Sequence, residues 1–307
     1  MAKFSKTTIM LLILLGIYII FILSSDVSKI QVNLKNMQYS YFIFAIILWV
    51  ASELVRIFRW HLFLKEIDDK VPFKANVFYY LAGFAFSLSP GRIGEVVRSP
   101  YLKRDYGIPI SKTAPIVFVE RFYDLLGMIL VLSVGLIFIE FEKTVLLIPL
   151  MLVFLIILIF KNKKLLFGLL GKLAKIKFLK NIKTNFEESY NSILKIIKIK
   201  FLVLGIATST ATYLLQAISI YFLILGLNSF ISLEEIFVVF PVSMFAATLS
   251  FVPGGVGVFE GGMIGLLVLF NLPYDVAITT TILLRLIGTG LFTAIGMICL
   301  KIISKEK

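Results

Sequence analysis

Long apolar runs separated by short polar stretches set the pattern of this chain. Six runs stand out: Thr7–Leu23, Tyr39–Phe63, Ala114–Ile139, Val145–Phe160, Phe201–Leu227 and Val276–Leu300. A helix needs roughly 20 apolar residues to cross a bilayer, so the pattern predicts six membrane-spanning helices, the first and fourth short. Two more apolar stretches, Asn76–Gly94 and Phe237–Phe270, are interrupted by turns. The first turn reads Ser87-Leu88-Ser89-Pro90-Gly91-Arg92-Ile93-Gly94. It returns 163 residues later as Ser250-Phe251-Val252-Pro253-Gly254-Gly255-Val256-Gly257. Arg121 follows Pro90 by 31 residues, and Arg285 follows Pro253 by 32. Helix breakers at matching places in two apolar halves point to broken helices and a site at their interruption.

Charge orients these elements. Of the 31 Lys and Arg residues, 26 fall on one side when the N-terminus is taken as cytoplasmic. Only Lys29, Lys35 and Lys143 fall on the other, and Arg121 and Arg285 lie within spans. That asymmetry places both termini in the cytoplasm. It holds only if the two interrupted stretches dip into the membrane and return. Repeat one (about 39–139) then enters its hairpin from inside and repeat two (about 201–300) from outside. The expected fold is therefore an all-α polytopic membrane protein of one domain, residues 1–307, with six spans and two re-entrant hairpins as an inverted-topology repeat. Backbone exposed to hydrocarbon at such turns is costly unless covered, so the two tips should meet across a polar cavity.

Composition narrows the chemistry. At 59% hydrophobic residues the chain is built for a membrane. One cysteine and one histidine permit no internal disulfide and no His-cluster metal site; neither cofactor nor metal is expected. The net charge of +13 follows from topology rather than from nucleic-acid binding. The loop Lys161–Lys200 carries eleven lysines, with leucines at helical spacing, as an interfacial helix or a plain cytoplasmic anchor would. Glu53, Arg56 and Arg59 are expected at the cytoplasmic mouth, and His61 with Trp60 at the interface. The N-terminus has the outline of a signal peptide, but its core is long enough to read as an uncleaved span.

Seven ionisable residues are candidates for binding. Arg92 and Glu95 flank the first turn, where a returning half-helix would offer free N–H groups to an anion; alternatively they pair with each other. Glu120, Arg121 and Asp124 lie deep in the Ala114–Ile139 span, with Arg121 and Asp124 on one face. Ionisable groups there are costly and usually functional, or else they tie helices together. Arg285 sits at similar depth and should reach Asp124 or Glu260. Arginine forks suit phosphate oxygens, so a phosphate among Arg92, Arg121 and Arg285 is the expected ligand. Pro90, Gly91, Gly94, Pro253, Gly254, Gly255 and Gly257 form the turns. Gly257, Gly261 and Gly265 are also spaced as a small-residue packing ladder.

The motifs Leu-Ser-Pro-Gly-Arg-Ile-Gly-Glu, Glu-Arg-Phe-Tyr-Asp and Pro-Gly-Gly-Val-Gly-Val-Phe-Glu resemble the flippase-like transmembrane domain of lysylphosphatidylglycerol synthetases. They equally resemble its stand-alone relatives, uncharacterised protein family 0104. The resemblance runs from about Thr7 to Leu300 and implies movement of a phospholipid between leaflets. Family motif positions fall on Pro90, Gly91, Arg92, Gly94, Glu95, Glu120, Arg121, Asp124, Pro253, Gly254, Gly257, Glu260 and Arg285. The chain stops at Lys307, so lysyl transfer by the synthetases' soluble domain is not expected of it.

A multi-pass flippase or transporter of anionic membrane lipids or lipid-linked headgroups is thus the expected function, without catalytic residues. Alternatives are a membrane enzyme acting on a polyprenyl phosphate, with Glu260 or Asp124 as base, a partner subunit for a lipid-modifying enzyme or glycosyltransferase, and a small-ion carrier. A homo-oligomer is compatible with each.

Overall fold

In a computed structural model of the chain, residues 27–68, 70–139, 151 and 186–305 are described. The expected span Thr7–Leu23, all of Val145–Phe160 but Met151, and most of the basic loop from Lys161 lie outside them. The described residues form helices joined by turns, without a strand. Eleven α-helices follow in chain order: α1 (Val27–Lys35), α2 (Tyr39–Ile67), α3 (Phe73–Gly83), α4 (Arg98–Tyr106), α5 (Ile110–Phe138), α6 (Phe186–Ile196), α7 (Ile199–Gly226), α8 (Leu233–Leu249), α9 (Val258–Leu269), α10 (Tyr274–Arg285) and α11 (Leu291–Lys305). Helices α2, α5, α7 and the continuous pair α10–α11 are long and apolar enough to cross a membrane.

Helix α2 shows why these residues associate. Ile43, Ile47, Val50, Leu54 and Phe58 are exposed along one face, whereas Ser52, Glu53, Arg56 and Arg59 are buried. The polarity is opposite to that of a helix on a water-soluble protein. In hydrocarbon the apolar face needs no cover, and the charged face must find partners inside the bundle. Glycines allow the closest approaches. A Cβ on Gly127 of α5 would lie 2.7 Å from the backbone of Ser209 on α7, and one on Gly296 of α11 would lie 2.5 Å from the Ala85 nitrogen.

The packing partners are reciprocal. Helices α2 and α7 lie antiparallel against each other, with Ser219 hydroxyl donating to the Ala45 carbonyl and Gln216 Nε2 to Ser52 Oγ. The last helix, α11, packs against α3, the leading arm of the first hairpin. Correspondingly α5 packs against α8, the leading arm of the second. Each hairpin is thus braced by a long helix from the other half of the chain.

Both hairpins are interrupted, but in different ways. In the first, α3 runs into a 3-10 turn at Phe84–Phe86, then a second 3-10 stretch at Pro90–Val97, before α4. In the second, α8 ends at Leu249, a 3-10 turn covers Pro253–Gly255, and α9 starts at Val258. Capping differs too: Ser232 and Glu235 form a capping box at the start of α8, the arrangement that satisfies two orphan N–H groups at once.

Candidate functional site

The repeated Pro-Gly turns adopt the same backbone. Gly91 and Arg92 have φ of 57° and 55°, and Gly254 and Gly255 have 63° and 64°. Two successive left-handed residues after a proline reverse the chain in each hairpin. Glycine takes that conformation freely, whereas a Cβ resists it, so Arg92 is held under strain where its counterpart, Gly255, is not. The turns lie against each other: a Cβ on Gly254 would lie 2.8 Å from Leu88 Cδ2.

Around the first turn the charges close into a ring. Glu95 meets Arg98 at 2.5 Å, Arg98 meets Glu120 at 3.3 Å, and Glu120 meets Arg59 at 3.5 Å. Arg59 meets Asp124 at 2.9 Å, Asp124 meets Arg121 at 3.1 Å, and Arg121 returns to Glu95 at 3.3 Å. Three guanidinium groups alternate with three carboxylates, drawn from α2, the first hairpin and α5. Ser209 of α7 also accepts from Arg59. Arg98 lies 4.3 Å from the Trp60 ring and 4.4 Å from that of Tyr80, so two aromatic rings whose centroids are 6.3 Å apart line its cation. Arg92 stands outside the ring on Glu95, at 2.9 Å. The ring is neutral, and Arg92 adds one cation to it.

The second hairpin carries a smaller version. Arg285 Nε donates to Glu260 Oε1 at 2.7 Å, while Nη1 and Nη2 donate to the carbonyls of Gly254 and Gly255 at 3.0 and 3.4 Å. Glu260 Oε2 accepts from the Gly257 N–H at 2.7 Å. One guanidinium therefore fastens α10 to both the turn and the returning arm. Immediately after Arg285 the helix widens into a π turn, Leu286–Gly290.

The residues singled out in the sequence divide accordingly. Glu95, Glu120, Arg121 and Asp124 come together, Arg92 joins them, and Arg285 pairs with Glu260 rather than Asp124. Ring arginines are buried deeply except Arg121, whose side chain keeps 21% exposure; Arg92 keeps 25% and Arg285 14%. These three are the partly exposed arginines of the two clusters.

Several expectations need correction. Arg59 does not line an open mouth but is a fully buried member of the ring, and Glu53 with Arg56 is a buried pair at 3.0 Å. The expected signal, charge near the end of a span, is the same for a flanking residue and an interior one. What distinguishes them is phase: Glu53, Arg56 and Arg59 share the face opposite Leu54 and Phe58. Trp60 is likewise no interface residue; it is buried and donates to Asn76. No α-helical N-terminus begins at Gly94–Glu95, because that segment is 3-10 and α4 starts at Arg98; the Gly94 N–H instead donates to Ser89 Oγ. The glycine ladder is also absent among the described residues, since a Cβ on Gly261 or Gly265 would meet nothing within 4 Å.

Four bilayer-length helices, a lipid-suited exterior and a charged interior gathered at two broken hairpins define a multi-pass helical membrane protein. The family described as the lysylphosphatidylglycerol synthase TM region matches residues 9–296, and the chain belongs to it. It is similar to two UPF0104 membrane proteins of Methanocaldococcus jannaschii. One is 32% identical over 240 residues, covering 73% of this chain and 95% of the relative. The other is 28% identical over 326 aligned positions, covering 99% and 97%.

Proposed function

We propose that this protein carries anionic lipids, or the phosphate-bearing headgroups of lipid-linked molecules, between the leaflets of its membrane. One observation carries the reading: Arg92, Arg121 and Arg285, the partly exposed arginines of the two sites, are each held on a carboxylate beside a helix-breaking turn. The two turns adjoin. Arginine held this way exchanges a carboxylate for a phosphate without losing its charge partner.

The halves 39–139 and 201–300 act in this reading as inverted-topology repeats of one domain, with both termini in the cytoplasm. Reciprocal bracing of each hairpin by the other half supports it, as does the matched backbone of the turns. Arriving phosphate displaces Glu95 from Arg92 and Arg121, and Glu260 from Arg285. Because the ligand binds the two arrangements unequally, it shifts the balance between them, as alternating access requires. No bond in the lipid is made or broken; the protein is a carrier and not an enzyme.

The test is transfer of a fluorescent anionic phospholipid between leaflets of proteoliposomes containing purified protein. Arg121→Gln and Arg285→Gln are each expected to abolish transfer while the protein still inserts and purifies. Transfer at the wild-type rate in both would refute the assignment.

A further inference from the structure

The α2–α7 seam holds a polar ladder that the two turn sites leave unexplained. Arg59 and Ser209 form its rung at the ring. The next rung is Arg56 with Tyr213, the Arg56 Cζ lying 5.4 Å from the ring centroid. After it come Glu53 and Ser52 with Gln216, at 3.4 and 3.2 Å. The helices run antiparallel, so each rung lies about one turn, roughly 5 Å, further from the charged ring.

Arg56 is 2% exposed and has one hydrogen-bond partner among the described residues, Glu53 Oε1 on Nη1 at 3.0 Å. Its Nε and Nη2 have no hydrogen-bond partner among the described residues. Those two N–H groups form the side-on edge of the guanidinium, the one that grips two oxygens of a phosphate or carboxylate together. Buried polar groups are normally paired, and an orphaned edge of a buried cation calls for an explanation. A structural role alone would be met by the Glu53 pair.

We infer that Arg56 is a second anion station, one turn beyond the ring, which receives the lipid phosphate from Arg92 and Arg121 on its way to the other leaflet. This rests on the carrier reading above. Tyr213 lies beside the guanidinium through its ring and takes no hydrogen bond from Nε or Nη2. Glu53 keeps the empty station neutral.

The experiment compares wild type, Arg92→Gln, Arg56→Lys and the double variant Glu53→Gln/Arg56→Gln in the full chain. The double variant removes both charges, so no unpaired carboxylate is left buried. Binding of dihexanoyl phosphatidylglycerol in detergent is read beside transfer of fluorescent phosphatidylglycerol in proteoliposomes. Arg92→Gln is expected to weaken binding at least tenfold. The double variant and Arg56→Lys are expected to bind within threefold of wild type yet transfer at least tenfold more slowly. Transfer by the double variant at a third of the wild-type rate or faster overturns the station, as does loss of binding together with transfer. Wild-type protein that transfers nothing overturns the carrier reading itself, and the station with it.

Discussion

Arg285 stands 2.7 Å from Glu260, and this pair reproduces in the second hairpin the contact that joins Arg121 to Glu95 at 3.3 Å in the first. In each case a carboxylate on the returning arm meets an arginine on the following long helix. The two differ in what else the arginine holds. Arg121 continues into a ring of charges, whereas Arg285 spends its remaining N–H groups on the carbonyls of the turn itself.

That difference predicts how Arg285→Lys behaves. Lysine supplies one compact charge and no fork, so it can keep Glu260 but not both turn carbonyls. Transfer in proteoliposomes is expected to fall at least tenfold, with little loss in thermal stability in detergent. An unchanged rate would mean that the carbonyl contacts are dispensable.

Arg92→Gly separates strain from binding. A left-handed non-glycine residue costs about 1–2 kcal/mol, and glycine already occupies the equivalent place in the other turn. The variant is expected to melt at the same temperature as wild type or higher, while binding short-chain anionic lipid at least tenfold more weakly. A destabilised variant would show that the contact with Glu95 outweighs the strain.

The glycines divide sharply. Gly255 combines φ of 64° with an Ala247 Cβ that would lie 2.7 Å from an added methyl, so Gly255→Ala should destabilise by about 1–3 kcal/mol. Gly261→Ala and Gly265→Ala, where no described residue lies within 4 Å of an added Cβ, should leave melting unchanged. Equal effects at the three sites, measured by thermal unfolding in one detergent, would contradict the described packing.

Arg59, unlike the partly exposed Arg121, is wholly buried, and its removal leaves charged partners in the interior of the ring. Arg59→Gln takes the shared partner from Glu120 and Asp124, and breaking a buried pair in this way typically costs about 3–5 kcal/mol. Poor recovery of monodisperse protein is the expected result. Arg59→Gln combined with Asp124→Asn, which removes opposite charges together, should recover part of the loss.

Acid sensitivity is expected at the end of α4. Asp105 accepts from Arg104 and from the Tyr79 hydroxyl at 2.6 Å, and the Arg104 hydrogen bond holds its carboxyl below the usual range. A lowered value in the folded state means that this contribution is fully present above the unfolded carboxylate range, about pH 4, and is lost as pH falls through the lower folded value. Asp105→Asn should remove that part of the acid dependence of melting. An acid limb of the same slope would place the sensitivity elsewhere.

The four described bilayer-length helices were legible because hydrocarbon demands long apolar stretches, and the turns because Pro90-Gly91 and Pro253-Gly254 break helices in any setting. Arg121, Asp124, Glu260 and Arg285 could be singled out because charge at such depth is rarely idle. Arg59 and Arg98 escaped because they lie near segment ends, where a basic residue is ordinary. Only the packing of α2 and α4 shows that both turn inward. The Arg285–Glu260 contact was readable as one of two options, since spacing fixes depth but not which neighbour is nearest. Gly127 and Gly296 gave no signal, because a glycine needed for close approach looks in sequence like any other.

The π turn at Leu286–Gly290 lies between the arginine that grips the second turn and the helix that braces the first. One surplus residue in a helical turn offsets everything beyond it by about 100°. If that bulge slid back into α10, past Arg285, that arginine would swing away from Gly254 and Gly255 while Gly296 stayed seated beside Ala85. Slack of this kind would let one entrance loosen without unseating the other.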